Sequence, residues 1–342
     1  MRAILVRAQG LIVLNVASSG IASLLLPGGR TAHSRFSIPI SIKETSTCNV
    51  PQGSLKAELL EKTSLIIWDE APMLNRFCFE ALDRTLNDIM KSHTNVQSGM
   101  PFGGKVVVLE GDFRQILSVI QKGSRCDIVD ATINSSYMWK QCHVFKLTKN
   151  MRLQCANSVD ENNEINKFAD WLLDIGDGNL NRTDDGDSTI QIPDDLLILD
   201  SVNPIQSLMD LAYPSMLQNL NQNNYNFFEE RAILAPTLES VEVINNEMLC
   251  QIPGEVKEYL SCDTTCRSDE DSEVEAEWFT SEFLNNIKCS GIPNHKLILK
   301  VGVPIMLLRN IDQAGGLCNR TRMIVKDLGK MLLLPMLCLE NS

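Results

Sequence analysis

The sequence predicts an α/β protein built on a parallel sheet with helices on both faces. Three observations carry this expectation. Four short runs, LIVLNVAS (11–18), SLIIWDE (64–70), KVVVLEGD (105–112) and HVFKLTKN (143–150), are nearly continuous in apolar residues or rich in β-branched and aromatic ones, as strands buried on both faces are. Helix-patterned segments separate them, which is the alternation that gives parallel sheets. Polar groups fall at the carboxyl ends of three of these elements (Ser18-Ser19, Asp69-Glu70 and Asp112), the edge of such a sheet where ligands bind.

In chain order, LIVLNVAS is followed by SGIASLLL, a short helical start. SLIIWDE leads into APMLNRFCFEALDRTLNDIM (71–90), whose Leu74, Phe77, Leu82, Leu86 and Ile89 share one helical face. After Arg152 the character changes: 154–166 and 176–190 are rich in Asn, Asp and Gly and read as loops or insertions. ERAILAPT (230–237) with LESVEVINNEML reads as a further strand and helix, and LILKVGVPIMLLRNID (297–312) as paired short strands around a Gly-Val-Pro turn. The domain expectation is therefore a first domain over 1–153, a linker and insertion over 154–229, and a second domain over 230–342.

Composition narrows the function classes. The 342 residues are 44% hydrophobic and 22% charged, values of an ordinary folded chain rather than a disordered one. Apolar stretches such as 11–17 and 331–339 are shorter than the ~20 residues a membrane helix needs, so no membrane partner is expected. The opening MRAILVRAQGLIVLNVASSG resembles a secretory leader, but Arg7 and Gln9 interrupt its apolar core. Eleven cysteines without a leader point to free thiols; only Cys262 and Cys266 lie close together, and nothing completes a zinc site. The net charge of −12 argues against a nucleic-acid partner until its distribution is considered. Residues 1–58 carry six basic and two acidic side chains, net +4, and residues 285–332 carry eight and two, net +6. Ten acids against two bases crowd 255–282. Phosphate backbones respond to such local patches, although a basic patch can also be only a solvated face.

An apolar strand that ends on two acids needs a reason. One is phosphate chemistry: Asp69 holds Mg²⁺ through water, because a hard cation takes oxygen ligands, and Glu70 orients and deprotonates the attacking water. Gln115 of GDFRQ, on the next strand end, then bonds the terminal phosphate or the water, and Asp112 lines the same site. Phosphoryl transfer rests mainly on positioning and charge stabilisation, which suits so sparse a set. The other reason is structural, with Asp69 and Glu70 capping the helix that follows. The second acidic strand end favours the nucleotide reading.

The strings VASSGIASLLLPGGRTAHSRFSIP, IIWDEAPM, CFEALDRTL, FGGKVVVLEGDFRQILSVI and LTKNMRL, continued by FADWLLDIGDG, ILAPTLESVEVIN, SGIPNHKLILKVGVPIMLLRNID and GLCNRTRMIV, resemble the Pif-like (petite integration frequency) DNA helicases of superfamily one, in tone the plant and Helitron-transposon branch. The resemblance implies a RecA-like sheet with flanking helices, incomplete at its N-terminus, and part of a second RecA-like domain carrying a small β-rich 2B subdomain near 280–312. It implies ATP and Mg²⁺ as cofactors and single-stranded DNA or duplex junctions as partners. Asp69 would be the magnesium acid, Glu70 the water-activating base, Gln115 the phosphate sensor, and Arg152 of LTKNMRL the arginine that reaches the γ-phosphate, a role that suits a permanent, planar charge. Ser18, Ser19 and Gly20, with Thr31 and His33, would lie along the single strand's phosphates. Nucleus is the family's default compartment, with mitochondrion as the other.

The departures from the family pattern are equally concrete. No Gly-Lys-Ser/Thr phosphate loop occurs in the chain, which is expected to begin just downstream of one and to stop before the last helicase motifs. Ser118 stands where proline is expected, Asn75 where a basic residue or histidine is expected, and Arg320 where glycine is expected, so a positive φ at Arg320 would be strained. Without the loop's amides and lysine, this chain alone is expected to bind ATP weakly and not to unwind DNA. The function classes are therefore an ATP-dependent DNA helicase, serving repair, recombination and telomere maintenance, and a non-catalytic remnant that binds single-stranded DNA or protein. An unrelated phosphate-loop ATPase is weakened by GDFRQ and the 2B-like strings.

Overall fold

In the computed structural model the described residues are 6–91, 100–154, 159–180, 189–198, 202–222, 226–229, 231–262, 281–287, 293–312, 315–329 and 333–337. The chain divides into two compact units, Met1–Leu196 and Leu197–Ser342. The helix over 159–177 belongs to the first of them.

The first unit is built on a parallel sheet. Its elements are β1 (Ile12–Ala17), α1 (Gly20–Leu24), β2 (Arg30–Thr31), α2 (Ala32–Phe36), α3 (Leu55–Lys62), β3 (Thr63–Asp69), α4 (Arg76–Met90), β4 (Val106–Leu109), α5 (Arg125–Asp130) and α6 (Val159–Asp177). The strand order is β2-β1-β3-β4, all parallel, with Ala17 level with Asp69 and Trp68 level with Leu109. All but the first residue of β1 are buried, so its apolar run lies between two covered faces. The core gathers Val16, Phe36, Ile66, Trp68, Phe79, Leu82 and Leu86. Trp68 is fully buried between Phe36 (ring centroids 5.6 Å) and Phe79 (4.6 Å).

Several sequence expectations change here. The helix expected over 71–90 begins only at Arg76; Ala71–Met73 is a 3-10 turn containing Pro72, and Asn75 caps the true helix by accepting from the Phe77 N–H at 3.0 Å. Its buried face is set by Cys78, Phe79, Leu82 and Leu86, whereas Phe77 is half-buried with the Arg76 guanidinium 5.0 Å from its ring. HVFKLTKN (143–150) is not a strand: it is irregular, with Phe145 91% and Leu147 101% exposed. Its alternating pattern finds no neighbouring strand among the described residues, and a strand without a ladder does not persist. The fourth strand is instead the two-residue β2, too short to leave a pattern. Residues 159–166, read as loop from their Asn and Asp content, lie in α6, where Phe168 and Trp171 stack one turn apart at 5.6 Å.

The second unit holds α7 (Pro204–Ala212), α8 (Met216–Asn221), α9 (Asn226–Glu229), α10 (Leu238–Gln251), β5 (Lys257–Leu260), α11 (Ser281–Asn285), β6 (Lys296–Leu299), β7 (Pro304–Met306), β8 (Arg322–Leu328) and β9 (Leu333–Leu337). β5 pairs antiparallel with β6, and β7-β8-β9 form a separate antiparallel sheet. The two strands expected within 297–312 therefore exist but do not pair with each other: β6 turns to β5 and β7 to β8. The strand expected over 230–237 is absent across its described residues, 231–237. The Arg231 carbonyl accepts from the Tyr213 hydroxyl (3.4 Å) and the Arg322 guanidinium (3.3 Å) rather than from a neighbouring strand. Arg320 has φ 74, the left-handed backbone anticipated for that turn.

Candidate functional site

β1, β3 and β4 end side by side. Register alone brings Ser18, Asp69 and Glu110 to one edge: the Ser18 N–H donates to the Asp69 carbonyl (3.0 Å), and the Glu110 N–H to the Trp68 carbonyl (2.8 Å). The chain after β3 then turns sharply. Glu70 sits in the left-handed region (φ 54, ψ 38) and its N–H donates to Asp69 Oδ1 at 2.9 Å. A non-glycine residue held there costs about 1–3 kcal/mol, and such strain collects at functional turns. The Ala71 N–H donates to the Glu110 carbonyl (2.9 Å), tying this turn to the end of β4. Gly111 completes the junction, because a methyl group at its Cα would run into the Pro72 ring.

The electrostatics follow from this convergence. Partial burial raises the Glu70 carboxyl above the usual glutamate range, and the Asp69 and Asp112 charges push it the same way. The Asp69, Glu70 and Asp112 carboxylates are thus close enough at this edge to act on one another. Neither Asp69 nor Glu70 has a basic partner within 4.0 Å among the described residues, and Asp112 has only the Arg114 guanidinium at 3.7 Å. Uncompensated carboxylates suit a divalent cation with oxygen preference. No group of three or more His, Cys, Asp or Glu among the described residues is arranged to hold a metal by itself. Mg²⁺ does not need one, since it usually keeps several waters and takes one or two carboxylates plus substrate phosphate.

Helix capping does not explain the two acids. Glu70 makes no side-chain cap bond to the turn that follows, and α4 is capped by Asn75. Gln115 lies on the loop after β4, exposed, its N–H donating to the Asp112 carbonyl at 3.1 Å. Arg152 is in the 3-10 turn Met151–Gln154; its side chain lies outside the described residues.

The candidate DNA residues occupy the β1 end and the segment after it. Ser18 Oγ accepts from the Trp68 indole N–H (3.1 Å). Ser19 caps α1 by accepting from the Ala22 N–H, and Gly20 is the buried first residue of that helix. Thr31, buried, caps α2 by accepting from the Ser34 N–H (3.4 Å). His33 is half-buried, and burial lowers its pKa. The structure brings Asp69, Glu70 and Asp112 together and sets Ser18 against β3; the Thr31–His33 element stands at the other edge strand. A cleft of about 510 Å³ in the second unit is lined by Met209, Tyr213, Met216 and Met248 and by none of the candidate site residues. Sequence reasoning missed Gly111 and Pro72, whose partnership is a tertiary contact that neither motif announces alone.

The model of the PIF1-like helicase family matches residues 2–186, and that of the 2B domain of DNA helicase Pif1 matches residues 282–328. The chain belongs to the PIF1-like helicase family. The 2B match begins near the expected 280 and runs on to include β8. The ATP-dependent DNA helicase PIF1 of Danio rerio is 23% identical over 317 residues, covering 91% of this chain and 39% of that protein. The ATP-dependent DNA helicase RRM3 of Saccharomyces cerevisiae is 31% identical over 173 residues, covering 48% and 22%. Bacteroides Pif1 bound to ssDNA matches the fold with a TM-score of 0.57 at 22% identity, over 98% of this chain and 64% of that one. The same helicase with ADP-AlF3 and ssDNA gives 0.57 at 23%, over 97% and 64%. The four-stranded parallel sheet with its flanking helices is thus RecA-like. The chain spans about half or less of the length of the curated relatives it matches. No described helix is long and apolar enough to cross a membrane.

Proposed function

We propose that this protein is part of an ATP-dependent DNA helicase and carries the hydrolytic edge of its nucleotide site. The observation that carries the reading is the convergence of Asp69, Glu70 and Asp112 at the ends of β3 and β4, in a chain of this family. Asp69 would hold Mg²⁺, with Asp112 adding charge beside it; the ion supplies neutralisation of the phosphate charge. Glu70 would orient the attacking water and take its proton, a task its raised pKa favours by moving it toward neutral pH. Gln115 would bond the terminal phosphate or that water, and Arg152 would stabilise the transferring phosphoryl group.

The relatives named above are called ATP-dependent DNA helicases, and a neighbouring structure holds ADP-AlF3 with ssDNA. By that likeness we propose ATP and single-stranded DNA or duplex junctions as the partners of this chain; roles in repair, recombination and telomere maintenance, in the nucleus or else the mitochondrion, are proposed from the family pattern of the sequence alone. The lack of a Gly-Lys-Ser/Thr string supports a second reading for the chain in isolation, that of a remnant that binds single strands or protein without unwinding DNA. Single-strand binding tests the DNA role that both share. Backbone contacts release counterions, so affinity should fall steeply, by roughly 300-fold or more between about 50 and 200 mM salt if six or more phosphates are engaged. Salt-independent binding, or none at the low end, would remove the DNA role.

A further inference from the structure

The loop that carries Gln115 is pinned along its length. Gly111 lies against Pro72. Asp112 Oδ1 accepts from the Arg114 N–H (3.0 Å), and its carbonyl accepts from the Gln115 N–H (3.1 Å), so the loop is a closed turn. The Phe113 ring meets Trp139 edge-on, centroids 6.0 Å apart. Arg114 Nε donates to Asp177 Oδ1 at 2.8 Å while its NH1 lies 3.7 Å from Asp112 Oδ1. Of the five residues only Gln115 offers an exposed side chain that the loop's own packing does not use.

The Arg114 interaction is the one that reaches furthest along the chain, 63 residues to the last position of α6. It also has a built seat. A Cβ on Gly176 would lie 2.8 Å from Arg114 Cδ, closer than such atoms approach, and a tight 3.2 Å from Cγ. Gly176, next to the last residue of α6, leaves room for the arginine stem that crosses it. The pair is exposed, and exposed ion pairs add little to stability. What this one does add is location.

We propose that Arg114, anchored on Asp177 with Gly176 as its seat, is a positioning residue that fixes where Gln115 is presented relative to Glu70. The kinetic meaning of that position rests on the helicase reading; the tether itself does not.

The test uses the full chain without nucleotide and three variants: Gly176→Ala, Asp177→Asn and Arg114→Lys. Gly176→Ala is the informative one, since alanine favours the helix and removes no charge yet forces the arginine stem to shift from its place. Amide exchange at 112–116 should quicken about fivefold in Gly176→Ala and in Asp177→Asn, the scale expected when one exposed ion pair is broken. Exchange in β3 and α4 should not change, the Tm of Gly176→Ala should not fall, and Arg114→Lys, which keeps one charge interaction, should lie between. Mn²⁺ alone, added as a paramagnetic probe, should broaden the Gln115 side-chain amide in the wild type and distinctly less in Gly176→Ala, a change that a purely structural role would not produce. Unchanged exchange in both Gly176→Ala and Asp177→Asn overturns the tether, and equal broadening in Gly176→Ala overturns the positioning role. If Mn²⁺ leaves even the Glu70 amide of the wild type sharp, the metal reading fails while exchange still decides the tether.

Discussion

The two units bury their apolar residues in different ways. The first unit's described residues form one continuous core around a parallel sheet, from Val16 through Trp68 to Leu86. Residues 197–342 hold a smaller cluster of Met216, Phe227, Phe228, Ile252 and Ile324, with their strands in two separate antiparallel sheets. The difference teaches where chemistry can be held. A register fixed by a packed core sets Asp69 against Ala17 and Trp68 against Leu109, so carboxylates at those ends have defined neighbours. Small sheets joined by long connections offer no such frame, and the acids of 255–262 lie on β5 or its flanks, where Glu258 pairs with Lys296 at 2.6 Å.

The comparison breaks most visibly at Trp68. Trp68→Ala removes the centre of the larger core and should cost about 3–5 kcal/mol in denaturant unfolding; a loss below about 1 kcal/mol would mean that the core is not continuous. Phe228→Ala, which strips one ring from a three-ring cluster (Tyr213 at 5.9 Å, Phe227 at 5.2 Å), should cost about 3 kcal/mol and raise amide exchange in residues 197–342 alone. Equal loosening of β1 and β3 would show that the units do not unfold separately. Gly111→Ala forces a methyl onto Pro72 and should cost about 1–3 kcal/mol by overpacking, seen as a lower midpoint for the first unit's transition. Arg320→Gly relieves a left-handed residue in the second unit and should stabilise it by up to about 1 kcal/mol.

The smallest effect is the most diagnostic for the site. Glu70 has its folded pKa raised, so the folded state binds this proton more tightly than the unfolded chain does. Stability from this group is therefore greatest below the ordinary glutamate pKa and is lost as pH rises through the raised value. Glu70→Gln should give a small Tm increase at neutral pH that fades in acid; an equal gain at all pH values would contradict the shift.

The first unit was legible because its code is local. Apolar runs over β1, β3 and β4 and the Asp-Glu and GDFRQ strings could be read without knowing what they touch. What failed depended on partners remote in sequence. β2 is two residues long, HVFKLTKN has a strand's pattern but no ladder, and β6 pairs with β5 across a long acidic stretch rather than with its neighbour β7. Polar composition hid the start of α6, where Glu, Lys and Ala favour a helix despite the surrounding Asn. Gly111 read as the end of a strand and Gly176 as part of a loop, although Gly176 lies in α6, until the side chains crossing them were seen.

Electron paramagnetic resonance of Mn²⁺ with ATP on the full chain tests the central assignment most directly, with Asp69→Asn compared against Asp327→Asn as a control remote in sequence. The expected result is weak binding of the ion–nucleotide complex that Asp69→Asn abolishes and Asp327→Asn leaves intact. Undiminished binding in Asp69→Asn would show that the β3 acids do not handle a metal-bound triphosphate.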